Sequence, residues 1–447
     1  MYTPTSIFAN ALRLAALLIT ALPTLAQAGY ETTIPRISDL GLAPADIAKF
    51  AGSDLLIVRH RPRNLSVVWD DEDPRNVKAN FNTALAVVDA PVEVARRVAL
   101  DVGNYKNFMP ALQRSDVKGV EATGTRAELL LGVDVPVVSI GLEYSLTITA
   151  QPSGDVTFLV DEGMLEGTRA RWEFLPLPGG KTLLAYTGWD NSADMGFAVR
   201  MIYKAQPDLA FAIPAAVAGA IAQYARERIE VDAHGAVRTA AGKSVTQPNV
   251  PLITKAEVPT DSLRKLASLG LLMIVHPEQR MNFKGQDIKL TFVTAAGLVR
   301  LPVDKAVEGV MAFERYPEFF PQVDSIQRSA GPQGSILAQW NLVLDFGLFE
   351  LPIQYTNQYI KAGPYAYPFR RVKGDIEFIY GALEWVPTGP EESLVVFTAA
   401  SYPGEASNPL LRLQNMISNA SMILGVASSG IIVENQLPWL EKNYGKR

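Results

Sequence analysis

Ala90-Pro91-Val92-Glu93-Val94, running on through Asn104-Tyr105-Lys106-Asn107-Phe108-Met109-Pro110, is the stretch that decides the fold. It occurs twice. Leu301-Pro302-Val303 through Arg315-Tyr316-Pro317-Glu318-Phe319-Phe320-Pro321 repeats it 211 residues later. Worked outward, the same offset carries 81–187 onto 292–398 without a gap. Phe81 and Thr83 meet Phe292 and Thr294; Asp134, Tyr144 and Phe158 meet Asp345, Tyr355 and Phe369. Gly163, Glu173, Pro176 and Thr187 meet Gly374, Glu384, Pro387 and Thr398. One register held across so many aromatics and turn residues marks a duplication. Its period far exceeds the ~20–50 residues of solenoid units, so each copy is large enough to be a domain.

Each copy has a leader. Leu55-Leu56-Ile57-Val58 resembles Leu271-Leu272-Met273-Ile274, now at an offset of 216. The expected organisation is a leader over 29–80, a first domain over 81–230, a linker over 231–258, a second leader over 259–291 and a second domain over 292–441. The linker is polar and punctuated by Gly235, Gly242, Pro248 and Pro251. Residues 1–28 read as a secretory signal: Arg13, an apolar run from Leu14 to Leu22, Pro23, and the small-x-small site Ala26-Gln27-Ala28. Cleavage after Ala28 would deliver a periplasmic or secreted protein.

Within a copy, Phe81 to Asp89 alternates as a strand and Pro91 stands where a helix begins, since its missing N–H is not needed there. Val92, Ala95, Val98 and Ala99 follow at helical spacing until Gly103-Asn104. Successive strands follow, with Leu129, Leu131, Val133 and Val135 on one face, then Leu142, Tyr144, Leu146 and Ile148, then Val156, Phe158 and Val160, then Ala170, Trp172 and Phe174. The last runs from Leu183 to Trp189. A long helical stretch, about 196–230, closes the copy, with Pro207 and Pro214 expected to kink it; 408–437 closes the second. This is an α+β order: an antiparallel meander with one buried face and a long terminal helix.

The twice-occurring opening, 90–110 and 301–321, resembles that of START-like (helix-grip, SRPBCC) proteins, nearest the polyketide cyclase/dehydrase and coenzyme-Q-binding branch. The resemblance covers about 150 residues of each copy; the second departs at Met311-Ala312-Phe313, where a helix-ending Asp is usual. It implies two helix-grip domains, each a curved antiparallel sheet wrapped around a long C-terminal helix, with a hydrophobic ligand held between them.

The residues by themselves fit a cavity and a close-packed interior equally well, and the resemblance favours the cavity. The closing helix offers small side chains, among them Ala218 and Ala222 in the first copy and Gly425 in the second. The sheet opposes them with Tyr144, Trp172 and Phe174, and with Tyr355 and Trp385. Small against large leaves apolar volume, whereas large against large would pack solid. Tyr105, Phe108, Tyr316 and Phe319 from the opening motif join the expected lining, and Tyr144/Tyr355 with Thr187/Thr398 are the repeated polar groups expected near it. The competing reading is close helix–sheet packing with no cavity.

No catalytic or metal constellation is expected, and no cofactor. The chain has no cysteine, and its three histidines, His60, His234 and His276, fall in leaders or linker; His60, beside Arg59 and Arg61, reads as an exposed loop. Asp134/Asp345 and Glu173/Glu384 alternate against apolar neighbours and are expected on a solvated sheet face or in a structural salt bridge, and Arg169 and Arg171 alternate likewise. No Gly-rich phosphate loop and no G-x-S-x-G elbow is present. With 41 Lys and Arg against 46 Asp and Glu, no basic face is available for nucleic acid. The expected partner is a hydrophobic small molecule or lipid: a sterol, quinone, hopanoid or acyl compound. The alternative is a cyclase- or aromatase-like enzyme. A third class, an adaptor with filled grips, would use the apolar run Met422–Val433 as a docking surface or transient membrane contact.

Overall fold

The structure, a computed structural model, describes residues 34–67, 75–121, 124–135, 138–191, 200, 203–204, 207–239, 242–255, 258–345, 350–404 and 420–445. The signal segment 1–28 lies outside the described residues, as do the side chains of Asp134 and Asp345.

The leader contributes helix α1 (Pro44–Ala51), strand β1 (Leu55–His60) and a small hairpin, β2 (Arg63–Val67) with β3 (Arg75–Ala79). The first copy proper opens with β4 (Asn82–Val88) and helix α2 (Val92–Leu100), whose first free N–H groups, of Val94 and Ala95, bond the Pro91 carbonyl. A 3₁₀ turn, Val102–Asn107, follows, then β5 (Leu112–Glu121), β6 (Gly124–Val135), β7 (Val138–Ala150), β8 (Val156–Gly163), β9 (Arg169–Leu177) and β10 (Lys181–Trp189). Helix α3 (Pro207–His234) closes the copy.

Next come β11 (Lys243–Ser244), α4 (Thr260–Ser268), β12 (Gly270–Val275), β13 (Gln279–Phe283) and β14 (Gln286–Leu290). The second copy repeats the first: β15 (Val293–Val299), α5 (Val303–Val310), β16 (Val323–Ala330), β17 (Ile336–Asp345), β18 (Glu350–Tyr359), β19 (Ala366–Gly374), β20 (Phe378–Gly389), β21 (Glu392–Tyr402) and α6 (Ala420–Tyr444). Between the copies, Lys243–Ser244 pairs parallel with β13 rather than crossing as free chain.

The strands of both copies form one 16-stranded sheet, in the order β16-β17-β18-β19-β20-β21-β15-β12-β1-β4-β10-β9-β8-β7-β6-β5. The two leader strands meet at its centre, antiparallel. Ile57 faces Met273, its own counterpart at the 216 offset, while Leu56 faces Ile274 and Val58 faces Leu272. Each strand thus sees in the other what the other sees in it, the signature of a two-fold interface. The chain is built like a symmetric dimer joined into one polypeptide.

The central sheet is covered on both sides. On the inner face α3 and α6 pack over Leu55, Ile57, Ala84, Leu271, Met273 and Val293. The approach is close because each helix has a glycine there: a Cβ on Gly219 would lie 2.6 Å from Ile57 Cδ1, and one on Gly430 would lie 3.2 Å from Met273 Sδ. On the outer face α1 and α4 cover Leu56, Val58, Leu85, Leu272, Ile274 and Val396.

That outer cover overturns several sequence expectations. His60 is a strand residue, 2% exposed, whose Nε2 pairs with Thr83 Oγ1 at 2.8 Å; Thr83 in turn pairs with Thr187 Oγ1 at 2.9 Å. His276, Thr294 and Thr398 form the same chain in the second copy, at 2.8 Å and 2.8 Å. Glu173 and Glu384 are buried, not solvated. Each binds backbone from ahead of its copy: Glu173 accepts from Ile37 N–H in the first leader, and Glu384 from Ile253 N–H in the linker, both at 3.0 Å. Arg169 and Arg171 are buried as well, Arg171 donating to the Ile34 carbonyl. A polar face thus becomes interior because the leader's backbone supplies partners for it.

Candidate ligand-binding site

The interior of the first grip lies between β6–β10 and α3. Period-2 alternation sends Tyr186 inward and Thr187 outward, and the same alternation turns Trp172 and Phe174 inward and Glu173 outward. The Trp172 and Tyr186 rings lie 4.9 Å apart. Around them pack Leu129, Leu146, Ile148, Val156, Val160, Leu184, Ala225 and Ile229, all buried.

A second group facing the same interior is only half buried: Leu131, Tyr144, Phe158, Tyr186, Ile221 and Tyr224. These side chains keep part of their surface accessible beside the buried cluster beneath α3. Tyr203, like Tyr144 and Leu131, packs against the Leu142–Leu165 cluster, and Asp190, also half buried, directly follows β10. Burial pushes the Asp190 carboxyl up to about 6. The Tyr144 and Tyr186 hydroxyls are raised by burial first and then by the charge of Asp190. Tyr203, raised to about 12, has the same two causes. The four oxygens therefore share one low-polarity environment.

The sequence-derived lining divides on inspection. Tyr144 stands in the half-open group, and Phe108 packs partly buried at its rim. Trp172, Phe174 and, in the second copy, Trp385 are inward-facing and buried. Thr187 and Thr398 must be removed: both point to the outer face and end the histidine chains described above. Tyr105 and Tyr316 are structural, since their hydroxyls donate to the carbonyls of Ala99 at 2.5 Å and Val310 at 3.1 Å and tie each 3₁₀ turn to the preceding helix. Ala218 and Ala222 pack tightly on the central strands, and a Cβ on Gly425 would meet Val293 Cγ2 at 2.7 Å, so all three serve close helix–sheet contact. Tyr186, Asp190, Tyr203 and Tyr224 were missed. Tyr186 and Asp190 do not recur in the second copy, where Phe397 and Ser401 stand, so a search guided by repetition passes over them.

In the second grip, aromatic rings run in contact through the interior. Phe313 lies 4.8 Å from Tyr359, Tyr316 5.2 Å from Trp340, Tyr359 5.0 Å from Phe369, and Phe369 5.8 Å from Phe397. Tyr355 and Phe319 belong to the same assembly, Tyr355 stacked 6.1 Å from Trp340 and Phe319 4.8 Å from Trp439. Elsewhere, a groove of about 660 Å³ opens on the outer side of the sheet between α1, Val87, Asp89, the β9–β10 turn and Arg238. It is open to solvent and separate from both interiors. Among the described residues, no three His, Asp or Glu cluster so as to hold a metal ion.

Residues 88–230, the first copy, match the family described as polyketide cyclase / dehydrase and lipid transport, the branch its opening motif resembles. No curated protein matches the sequence. Solved structures that align include a di-domain aromatase/cyclase, StfQ, from the steffimycin biosynthetic pathway, at 10% identity over 81% of this chain and 97% of that one, TM-score 0.27. Others are the Zhui aromatase/cyclase from Streptomyces sp. R1128 (14% identity, 34% and 94% covered, TM-score 0.28) and a START superfamily protein from Mycobacterium smegmatis (16%, 32% and 97%, TM-score 0.24). Superpositions this loose say nothing about chemistry. The first copy is thus similar to that family over residues 88–230, and the second copy repeats its α+β order of helices and antiparallel strands.

Proposed function

We propose that this protein binds a hydrophobic small molecule or lipid inside a grip domain and carries it, working in the periplasm or outside the cell after losing its first 28 residues. The observation that carries the reading is the half-buried group Leu131, Tyr144, Phe158, Tyr186, Ile221 and Tyr224, apolar surface left accessible under a covering helix. Filling such space removes apolar area from water at roughly 25 cal/mol per Å², less the cost of immobilising the guest. Denaturing the purified protein, extracting it with organic solvent and recording mass spectra should release a discrete apolar compound. Empty extracts, together with no uptake from a panel of sterols, quinones and acyl lipids, would sink the proposal. N-terminal sequencing of protein from the periplasmic fraction should begin at Gly29.

Exchange with a membrane would use Val217 and Leu424, large apolar side chains left 37% and 46% exposed on α3 and α6. Flotation with lipid vesicles checks this, and protein that stays at the bottom of the gradient excludes it.

A second reading is favoured by the family match itself, whose description names cyclase and dehydrase chemistry alongside lipid transport. Under it the Tyr144–Tyr186–Asp190 end of the interior would move protons during ring closure of a hydrophobic substrate. Incubation with a linear poly-β-ketone thioester separates the two. A carrier returns it unchanged, whereas a cyclase yields an aromatic product at a rate that falls in Tyr186→Phe.

A further inference from the structure

We infer that the two copies divide the work: the first alone holds ligand, one molecule per chain with an apolar body and a hydroxyl or carbonyl oxygen, while the second fills its own interior. This rests on the binding role proposed above. The 211-residue offset allows a comparison position by position. Where the first copy has Val102, Leu129 and Ile148, the second has Phe313, Trp340 and Tyr359. All three larger side chains are buried, at 0%, 7% and 3% exposure, and their rings form the contact series already described. Some volume is returned at Trp172, whose counterpart is Leu383, but the balance is toward filling. A close-packed interior leaves no room for a guest.

The polar end changes in parallel. Tyr186 and Asp190 of the first interior become Phe397 and Ser401. The first grip thus keeps an apolar chamber with a phenol and a carboxyl group at one end. Oxygens in such a low-polarity setting favour a ligand that hydrogen-bonds to them over an isosteric one that does not. The second grip keeps Tyr355 where the first has Tyr144, but the three larger rings narrow it and the second phenol and the carboxyl are absent at those positions.

The test titrates the full-length protein with 2-naphthol and with 2-methylnaphthalene, similar in size and differing in the hydroxyl, followed by calorimetry. The expected result is one site per chain and at least tenfold tighter binding of 2-naphthol. That preference should fall below threefold in Asp190→Asn/Tyr186→Phe. Importing the second copy's residues as Leu129→Trp/Ile148→Tyr should abolish binding, while Trp340→Phe leaves one site with affinity within twofold. If the double import does not fold by circular dichroism, Leu129→Phe takes its place and should weaken binding at least fivefold. Two sites per chain, or binding that survives the import and fails in Trp340→Phe, would overturn the division of labour and leave the binding role standing. Equal affinity for the two probes overturns the polar end. No binding of either probe to the wild-type chain, with nothing in its solvent extract, overturns the binding role itself.

Discussion

Asp190 and His60 are both moved by burial, in opposite directions on the pH scale. Asp190 is raised to about 6, so the fold favours its neutral form. The stability tied to it is full below about pH 4 and is lost as pH rises through 6. Denaturant midpoints of the wild type should decline between pH 4 and 7 by an amount worth at most about 3 kcal/mol, and Asp190→Asn should flatten that decline. His60 is lowered to about 4, chiefly by burial and then by Arg63. Its neutral ring is the folded form, so its contribution is present above about pH 6.5 and lost as pH falls through 4. His60→Gln, which keeps a hydrogen-bonding group near Thr83, should remove part of the acid sensitivity of unfolding; an unchanged acid limb would assign the loss to other groups.

At the scale of elements, the helix crossings at Gly219 and Gly430 fix how near α3 and α6 approach the sheet. Gly219→Val should cost roughly 1–3 kcal/mol in urea denaturation, because its branches would press on Ile57 and Leu55 within a packed layer. Gly430→Ala should cost less, since its nearest neighbour is the flexible Met273 thioether. Much of this layout was legible beforehand. Alternating apolar residues marked the inward face of β6 to β10, and the shared register of Gly163 and Gly374 marks strand ends held at φ of 92° and 125°, where a side chain would be strained. The edge strands β5 and β16 were not seen, because a strand wetted along most of its length, such as Arg114 to Glu121, shows little apolar alternation. The outer cover was hidden for a different reason. Glu173 and Arg171 look solvated in a sequence, and only the leader's backbone, far away along the chain, makes them interior. The lining was legible only in part: repetition pointed to Tyr144 but also to Thr187 and Thr398, while Tyr186 and Asp190 differ between copies and gave no repeated signal.

At the scale of the whole molecule, the two leader strands meet as equals, Ile57 against Met273. A polypeptide spanning 29–240 alone would leave β1 with an unpaired edge and lose the partner that covers α3. Such a piece should pair with a second copy of itself through the same edge, and light scattering should report a dimer. A stable monomer would mean that the centre of the sheet contributes little. The full chain has the same strand pair enclosed by apolar layers on both sides, Leu55 and Ile57 under the long helices and Leu56 and Val58 under the leader helices. Amides there can reach solvent only when both halves open together. Transferred into deuterium oxide, the backbone of residues 55–58 and 271–274 should be the last to take up label, long after the outlying β5 and β16 have exchanged.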